Sequence, residues 1–121
     1  MTYRVLIVDD LEDTAVSTAY LLERFGHSVR YTTQSTVALE IARSFLPHIA
    51  LLDIGMPKMN GMDLCRALKL EKALDGIRCY AISGYGSNAD RKKVLDAGFD
   101  EFFVKPVSID QLKRLLGGYR L

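Results

Sequence analysis

The chain has no tryptophan, only three prolines and two cysteines among its 121 residues, too few cysteines for a disulfide framework. Cys65 and Cys79 form no Cys-x-x-Cys pair. One falls on a helical run and the other within a strand-like run, so both read as small buried hydrophobes of a reducing compartment. His27 and His48 have no neighbours at metal-ligand spacing and read as solvated or capped loop histidines. Charge of one sign is missing too. Sixteen Lys and Arg against fifteen Asp and Glu leave +1, which argues against nucleic acid as a partner; the short Arg91-Lys92-Lys93 run reads as a solvated helix face. No apolar stretch reaches the roughly 18 residues of a membrane span, and no signal peptide is expected ahead of Arg4. The expected setting is cytoplasmic, without membrane contact. No Gly-x-Gly-x-x-Gly follows the first apolar run, which removes a Rossmann dinucleotide binder.

What is present is alternation. Apolar residues make up 49% and charged residues 26%, enough for one ordinary globular core, and no repeat, low-complexity tract or linker divides the chain. One domain spanning residues 1–121 is expected, with no room for an output domain after the last helix. Strands are predicted at Arg4–Val8, Ser28–Thr32, His48–Leu52, Ile77–Ile82 and Glu101–Val104. Helices are predicted at Glu12–Phe25, Ser35–Phe45, Gly61–Lys72, Asn88–Ala97 and Ser108–Leu116. Ser35 and Asn88 can cap their helices, Ser108 with Gln111 fits a capping box, and Gly26, Gly98 and Gly117 suit left-handed helix ends. Five strands alternating with five helices predict an α/β fold, a doubly wound parallel sheet with helices on both faces.

The chemistry sits at the carboxyl ends of the strand-like runs, where open α/β sheets place it. Val5–Val8 delivers Asp9 and Asp10, Ile49–Leu52 delivers Asp53, Cys79–Ile82 delivers Ser83, and Phe102–Val104 delivers Lys105. Three carboxylates at one edge repel one another and raise one another's pKa, and a single amine cannot offset them. A divalent cation supplies the missing charge most simply, and an all-oxygen ligand set favours Mg²⁺ or Mn²⁺. Such a site suits phosphoryl transfer, which needs a nucleophile, charge neutralisation and positioning. Asp53 is the candidate nucleophile, because it stands alone while Asp9 and Asp10 are adjacent and diverge. One of that pair can ligand the metal and the other hold its water. Ser83 and Lys105 can meet phosphoryl oxygens. As isolated features, Asp9 and Asp10 read as helix-capping acids and Phe102 as a core aromatic.

From Val5 to about Leu116 the chain resembles the receiver domain of two-component response regulators. The resemblance is carried by Asp9-Asp10, Asp53, Met56-Pro57 with Asn60-Gly61, Ser83-Gly84, Ala97-Gly98-Phe99-Asp100 and Lys105-Pro106. Ser83-Gly84-Tyr85-Gly86, with Ala97-Gly98-Phe99-Asp100 and Lys105-Pro106-Val107, looks most like receivers fused to hybrid sensor histidine kinases. The resemblance implies a flavodoxin-like (βα)5 fold with strand order 2-1-3-4-5, the order for which a receiver is itself a standard example. It implies phosphorelay signalling, with Asp53 taking a phosphoryl group from a phosphohistidine of a histidine kinase or phosphotransfer protein. Asp10, Asp53 and the carbonyl of Gly55 would ligand Mg²⁺, with Asp9 acting through water. Ser83 and Phe102 would be the switch pair, Ser83 drawn to the phosphoryl group and Phe102 moving inward, and the bond to Pro106 would be cis. Gly55 offers no side chain to shield the phosphoryl group. The implied protein is a switch with slow self-catalysed chemistry rather than an enzyme.

Two other readings compete. A phosphatase would want a second acid where Gly55 stands. A degenerate receiver, acting as a phosphorylation-independent binding module, would be expected to have lost an acid or the lysine, and none is lost. The first helix adds a partner expectation. Thr14, Thr18, Leu21, Leu22 and Phe25 form a stripe expected to pack on the sheet. Leu11, Ala15, Val16 and Ala19 form a second apolar face, expected to dock the helical bundle that carries the phosphohistidine.

Overall fold

Residues such as Val5–Val8 and Ile49–Leu52 are apolar on both faces of a strand, which suits only a sheet covered on both sides. In the computed structural model, which describes residues 2–54, 61–84 and 88–117 (backbone only for 88–90, 115 and 117), five such strands form one parallel sheet in the order β2-β1-β3-β4-β5. The strands are β1 (Arg4–Val8), β2 (Ser28–Thr32), β3 (Ile49–Asp53), β4 (Arg78–Ser83) and β5 (Glu101–Val104). The helices are α1 (Glu12–Arg24), α2 (Ser35–Phe45), α3 (Gly61–Leu70), α4 (Asn88–Asp96) and α5 (Ile109–Gly117). The flavodoxin-like architecture is as expected, to within a residue or two at most boundaries.

The period of two along each strand sorts the core into two layers. Val5, Ile7, Leu51 and Ile82 meet Ala15, Ala19 and Leu22 of α1 and Leu112 and Leu116 of α5. Leu6, Val8, Leu52 and Ala81 meet Ala38 and Ala42 of α2, Leu64 and Leu68 of α3 and Val94 of α4. Cys65 and Cys79 are free and buried in this second layer, with their thiols hydrogen-bonded to each other.

Helix ends explain most of the punctuation. After α1 the N–H of Gly26 donates to the carbonyl of Glu23 (3.0 Å) and that of His27 to Leu22 (3.1 Å), a Schellman motif that requires the +95° φ of Gly26. Ser108 and Gln111 form the expected capping box, each side chain accepting the other's backbone N–H at 3.1 and 3.0 Å. Ser35 is not a cap: it is the first helical residue of α2 and is buried, and Gln34 holds the cap position. The predicted helix to Lys72 stops at Leu70, and a 3-10 turn at Lys72–Leu74 follows.

The face of α1 is a correction. Ala15 and Ala19, expected to dock a partner, are 0% and 6% exposed and lie against the sheet with Leu22. Thr14, Thr18, Leu21 and Phe25 are only half-buried beside them. The small side chains let the helix axis approach the sheet closely, so the alanine line is the core line. Leu11 and Val16 are exposed, at 56% and 44%.

Candidate functional site

Register carries the reactive groups to one edge. Val8 pairs with Leu52 and Asp53 with Ile82, so Asp9 and Asp10 leave β1 beside Asp53. Ser83 pairs with Val104, and the N–H of Lys105 donates to the Ser83 carbonyl at 2.8 Å, which holds the β5 end against β4. Asp9, Asp53 and Ser83 are buried, whereas Asp10 is exposed.

The Lys105 ammonium ties two of the three acids. Its Nζ lies 3.0 Å from Asp9 Oδ2 and 3.1 Å from Asp53 Oδ2. Burial acts to lower the pKa of this amine, but the hydrogen bonds and negative charges of Asp9 and Asp53 outweigh it and hold the pKa above the ordinary lysine value. Asp9 Oδ1 also accepts the N–H of Leu11 at 3.0 Å, a bond that steadies the turn from β1 into α1 without capping the helix itself. Asp10 has no such tether to the lysine. Partial burial, a hydrogen bond to Asp53 and the charges of Asp53 and Asp9 raise its carboxyl pKa, with Lys105 only partly countering them.

Carboxylate oxygens of Asp9, Asp10 and Asp53 all lie within 4.8 Å of one another. One ammonium against three carboxylates leaves the cluster short of positive charge, and its donors are all hard oxygens. The residues therefore fit Mg²⁺ or Mn²⁺ and do not fit zinc or copper.

Several motif residues hold the frame rather than the chemistry. Asp100 Oδ2 accepts the N–H of Cys79 and the Lys69 ammonium, both at 2.8 Å, which ties the start of β5 to β4 and α3. The Lys105–Pro106 bond is cis. Phe102 pairs with Ala81 and is 5% exposed within the α2–α4 layer, so an inward swing from an open position is not available to it. Gly55, with Met56, Pro57 and Asn60, lies outside the described residues.

Two features escaped sequence reading. Gly61 opens α3 directly against the acceptor strand: a Cβ there would stand 2.8 Å from the Asp53 carbonyl oxygen and 2.8 Å from Ile54 Cα. Beside the acid pocket runs a groove of about 340 Å³, lined by Thr14, Ser17, Thr18 and Leu21 of α1 and by Lys105, Pro106 and Val107. The half-polar stripe of α1 was the available signal for it.

The response regulator receiver domain model matches residues 5–116 of this chain. The chain belongs to the response regulator receiver family. Receiver domains are the signalling modules of two-component phosphorelays, and they characteristically bind Mg²⁺ in an acidic pocket. The chain is 27% identical over 119 residues to the polar-differentiation response regulator DivK of Brucella ovis, covering 98% of this chain and 97% of that protein. Among solved structures, a CheY-like receiver domain protein from Methanospirillum hungatei superposes with a TM-score of 0.84 at 30% identity, over 97% of this chain and 92% of that one. Vibrio cholerae CheY4 superposes at 0.89 with 20% identity, over 97% and 98%, and shows the shared fold. Among the described residues, no helix is long and apolar enough to cross a membrane.

Proposed function

We propose that this receiver is a Mg²⁺-dependent phosphoacceptor switch, and that Asp53 takes a phosphoryl group from a phosphohistidine of a kinase or phosphotransfer protein. The observation that carries the reading is the Lys105 ammonium bound to both Asp9 and Asp53 within a three-carboxylate cluster. A degenerate binding module has no need to keep four such groups together. The whole described chain serves the reading as one receiver domain in a cytoplasmic setting. Its Ser83-Gly84 and Lys105-Pro106-Val107 segments support a kinship with receivers of hybrid sensor kinases.

An Asp53 carboxylate oxygen attacks phosphorus, an acyl phosphate bond forms, and the phosphorus–nitrogen bond breaks with imidazole leaving. Lys105, already 3.1 Å from Asp53 Oδ2, can turn from the carboxylate to a phosphoryl oxygen with little movement. Ser83, buried at the end of the neighbouring strand, offers a hydroxyl to another. Asp10, exposed and not held by a lysine hydrogen bond, would ligand the metal together with Asp53, while Asp9, held by Lys105 and the Leu11 amide, would act through water. Mg²⁺ supplies charge neutralisation of the phosphoryl oxygens when bound. The added charge of about −2 biases the hydroxyl and its neighbours toward a second packing.

Docking of the donor falls to the groove between α1 and the Lys105–Val107 segment, with Leu11 and Val16 as exposed apolar neighbours, in place of the buried Ala15 and Ala19. Intact mass after incubation with acetyl phosphate and Mg²⁺ tests the reading. One phosphoryl increment that disappears in Asp53→Asn is expected. Absence of labelling in the unaltered chain, under conditions that label a known receiver, would favour the binding-module alternative.

A further inference from the structure

At the free edge of β5, away from the acid pocket, the described residues enclose a second open cavity of about 430 Å³. Arg78 from the start of β4, Arg91 from α4, Arg114 from α5 and Glu101 from the start of β5 line it, over the rings of Tyr80 and Phe103. Three guanidiniums against one carboxylate leave a surplus of two positive charges in a chain whose net charge is only +1. Arg91 pairs with Glu101 at 3.1 Å, whereas Arg78 and Arg114 form no ion pair among the described residues.

Arg78 is the decisive residue. Its Cζ stands 5.8 Å from the centre of the Tyr80 ring, and its Nε is buried with no hydrogen-bond partner among the described residues. A buried guanidinium N–H without an acceptor costs free energy that an anion can recover, because a modest turn of this long side chain presents Nε and one Nη as a fork. The cavity lies within the 300 to 1,000 Å³ range usual for small ligands, roughly. Its aromatic rings are nearly covered, Tyr80 at 3% and Phe103 at 8% exposed, so the charged groups of its lining carry the recognition.

We propose that this cavity binds a small phosphate-bearing ligand with two or more negative charges, of the size of a nucleoside diphosphate. The fork of Arg78 and the guanidinium of Arg114 hold the phosphate oxygens, and Glu101 limits affinity by its own charge. The site does not use Asp53.

Titrating the chain in chelator with ADP and with inorganic pyrophosphate, by calorimetry and by amide and arginine side-chain chemical shifts, tests this. Saturable binding weakened by salt is expected, unchanged in Asp53→Asn, with shifts at Arg78, Glu101 and Arg114. Arg114→Gln, at an exposed position that leaves folding intact, should weaken binding about tenfold, and Arg78→Gln by a similar factor. Glu101→Gln should tighten it. The proposal is overturned if neither compound saturates below about 5 mM, a weaker affinity than the millimolar end of the scale. It is equally overturned if the shifts fall on Asp9, Asp53 and Lys105, if Arg114→Gln has no effect, or if a glutamate-rich peptide binds more tightly than both phosphates.

Discussion

Gly61 lies against the carbonyl of Asp53 so closely that a β-carbon would come within 2.8 Å of its oxygen. The first turn of α3 is thereby pressed onto the residue proposed to accept the phosphoryl group, and the contact is with backbone, which cannot swing aside. Gly61→Ala should therefore lower stability by about 1 to 3 kcal/mol, the usual cost of forcing extra volume into a packed site. It should also slow labelling by acetyl phosphate, since Asp53 must shift with its carbonyl. Gly84→Ala is the comparison, because a β-carbon there meets nothing within 4 Å. Thermal unfolding and labelling rates of the two variants check this, and equal behaviour would show that the contact relaxes freely.

Asp10 is held in its charged form at a disadvantage. Burial, its hydrogen bond to Asp53 and two neighbouring negative charges raise its pKa above the ordinary 3.8. A carboxyl whose folded pKa is raised destabilises the fold when ionised, that is, at pH above the raised value. The penalty shrinks as pH falls through that value and vanishes below the unfolded one. Asp10→Asn should thus raise the melting temperature in chelator at neutral pH, with the gain fading under acid conditions. In excess Mg²⁺ the order should reverse, because the unaltered chain gains the metal's binding energy and the variant does not. Melting curves at pH 7 and below pH 4, with and without Mg²⁺, give the comparison.

Ala15 shows what periodicity cannot decide. Two apolar stripes ran along the first helix, and the bulkier one, through Leu21 and Phe25, looked like the core. The structure places the small residues Ala15 and Ala19 on the sheet instead, because the closeness of helix to sheet depends on the partner surface and not on the helix alone. The strands were legible because both faces of β1 and β3 are apolar and each strand ends on a polar group that must reach the edge. The acid cluster was legible for the same reason: strand ends in a parallel sheet converge by register. The role of Gly61 and the end of α3 at Leu70 were not, since one depends on a through-space approach and the other on a turn with no Gly or Pro to announce it. The expected consequence is opposite behaviour of neighbours. Ala15→Leu should destabilise by about 1 to 3 kcal/mol through overpacking, while Val16→Arg, 44% exposed, should stay within about 0.5 kcal/mol. Denaturant midpoints distinguish the two.

His27 and His48 bracket Tyr3 at the opposite end of the sheet from the acids. The N–H of Tyr3 donates to His27 Nδ1 at 3.1 Å and that of Arg4 to His48 Nδ1 at 2.9 Å, so both rings must keep Nδ1 deprotonated. Tyr3 stacks on His27 at 5.4 Å and meets His48 edge-on at 5.9 Å. Burial lowers both imidazole pKa values below the ordinary 6.5, helped by the N-terminal amine at His27 and by the Arg4 guanidinium at His48. A histidine whose folded pKa is depressed contributes stability that is fully present above its unfolded pKa and is lost as pH falls through it toward the folded value. Stability should therefore decline as pH falls below 6.5, and the loss should start where β1 begins. Replacing both histidines by glutamine, which can still accept the Tyr3 and Arg4 amides but does not titrate, should flatten that part of the profile. Urea midpoints between pH 7.5 and 5 for the two chains check it, together with hydrogen exchange at the Tyr3 and Arg4 amides. An unchanged slope in the glutamine variant would place the acid-sensitive step elsewhere, and not at Asp10, whose protonation relieves a penalty.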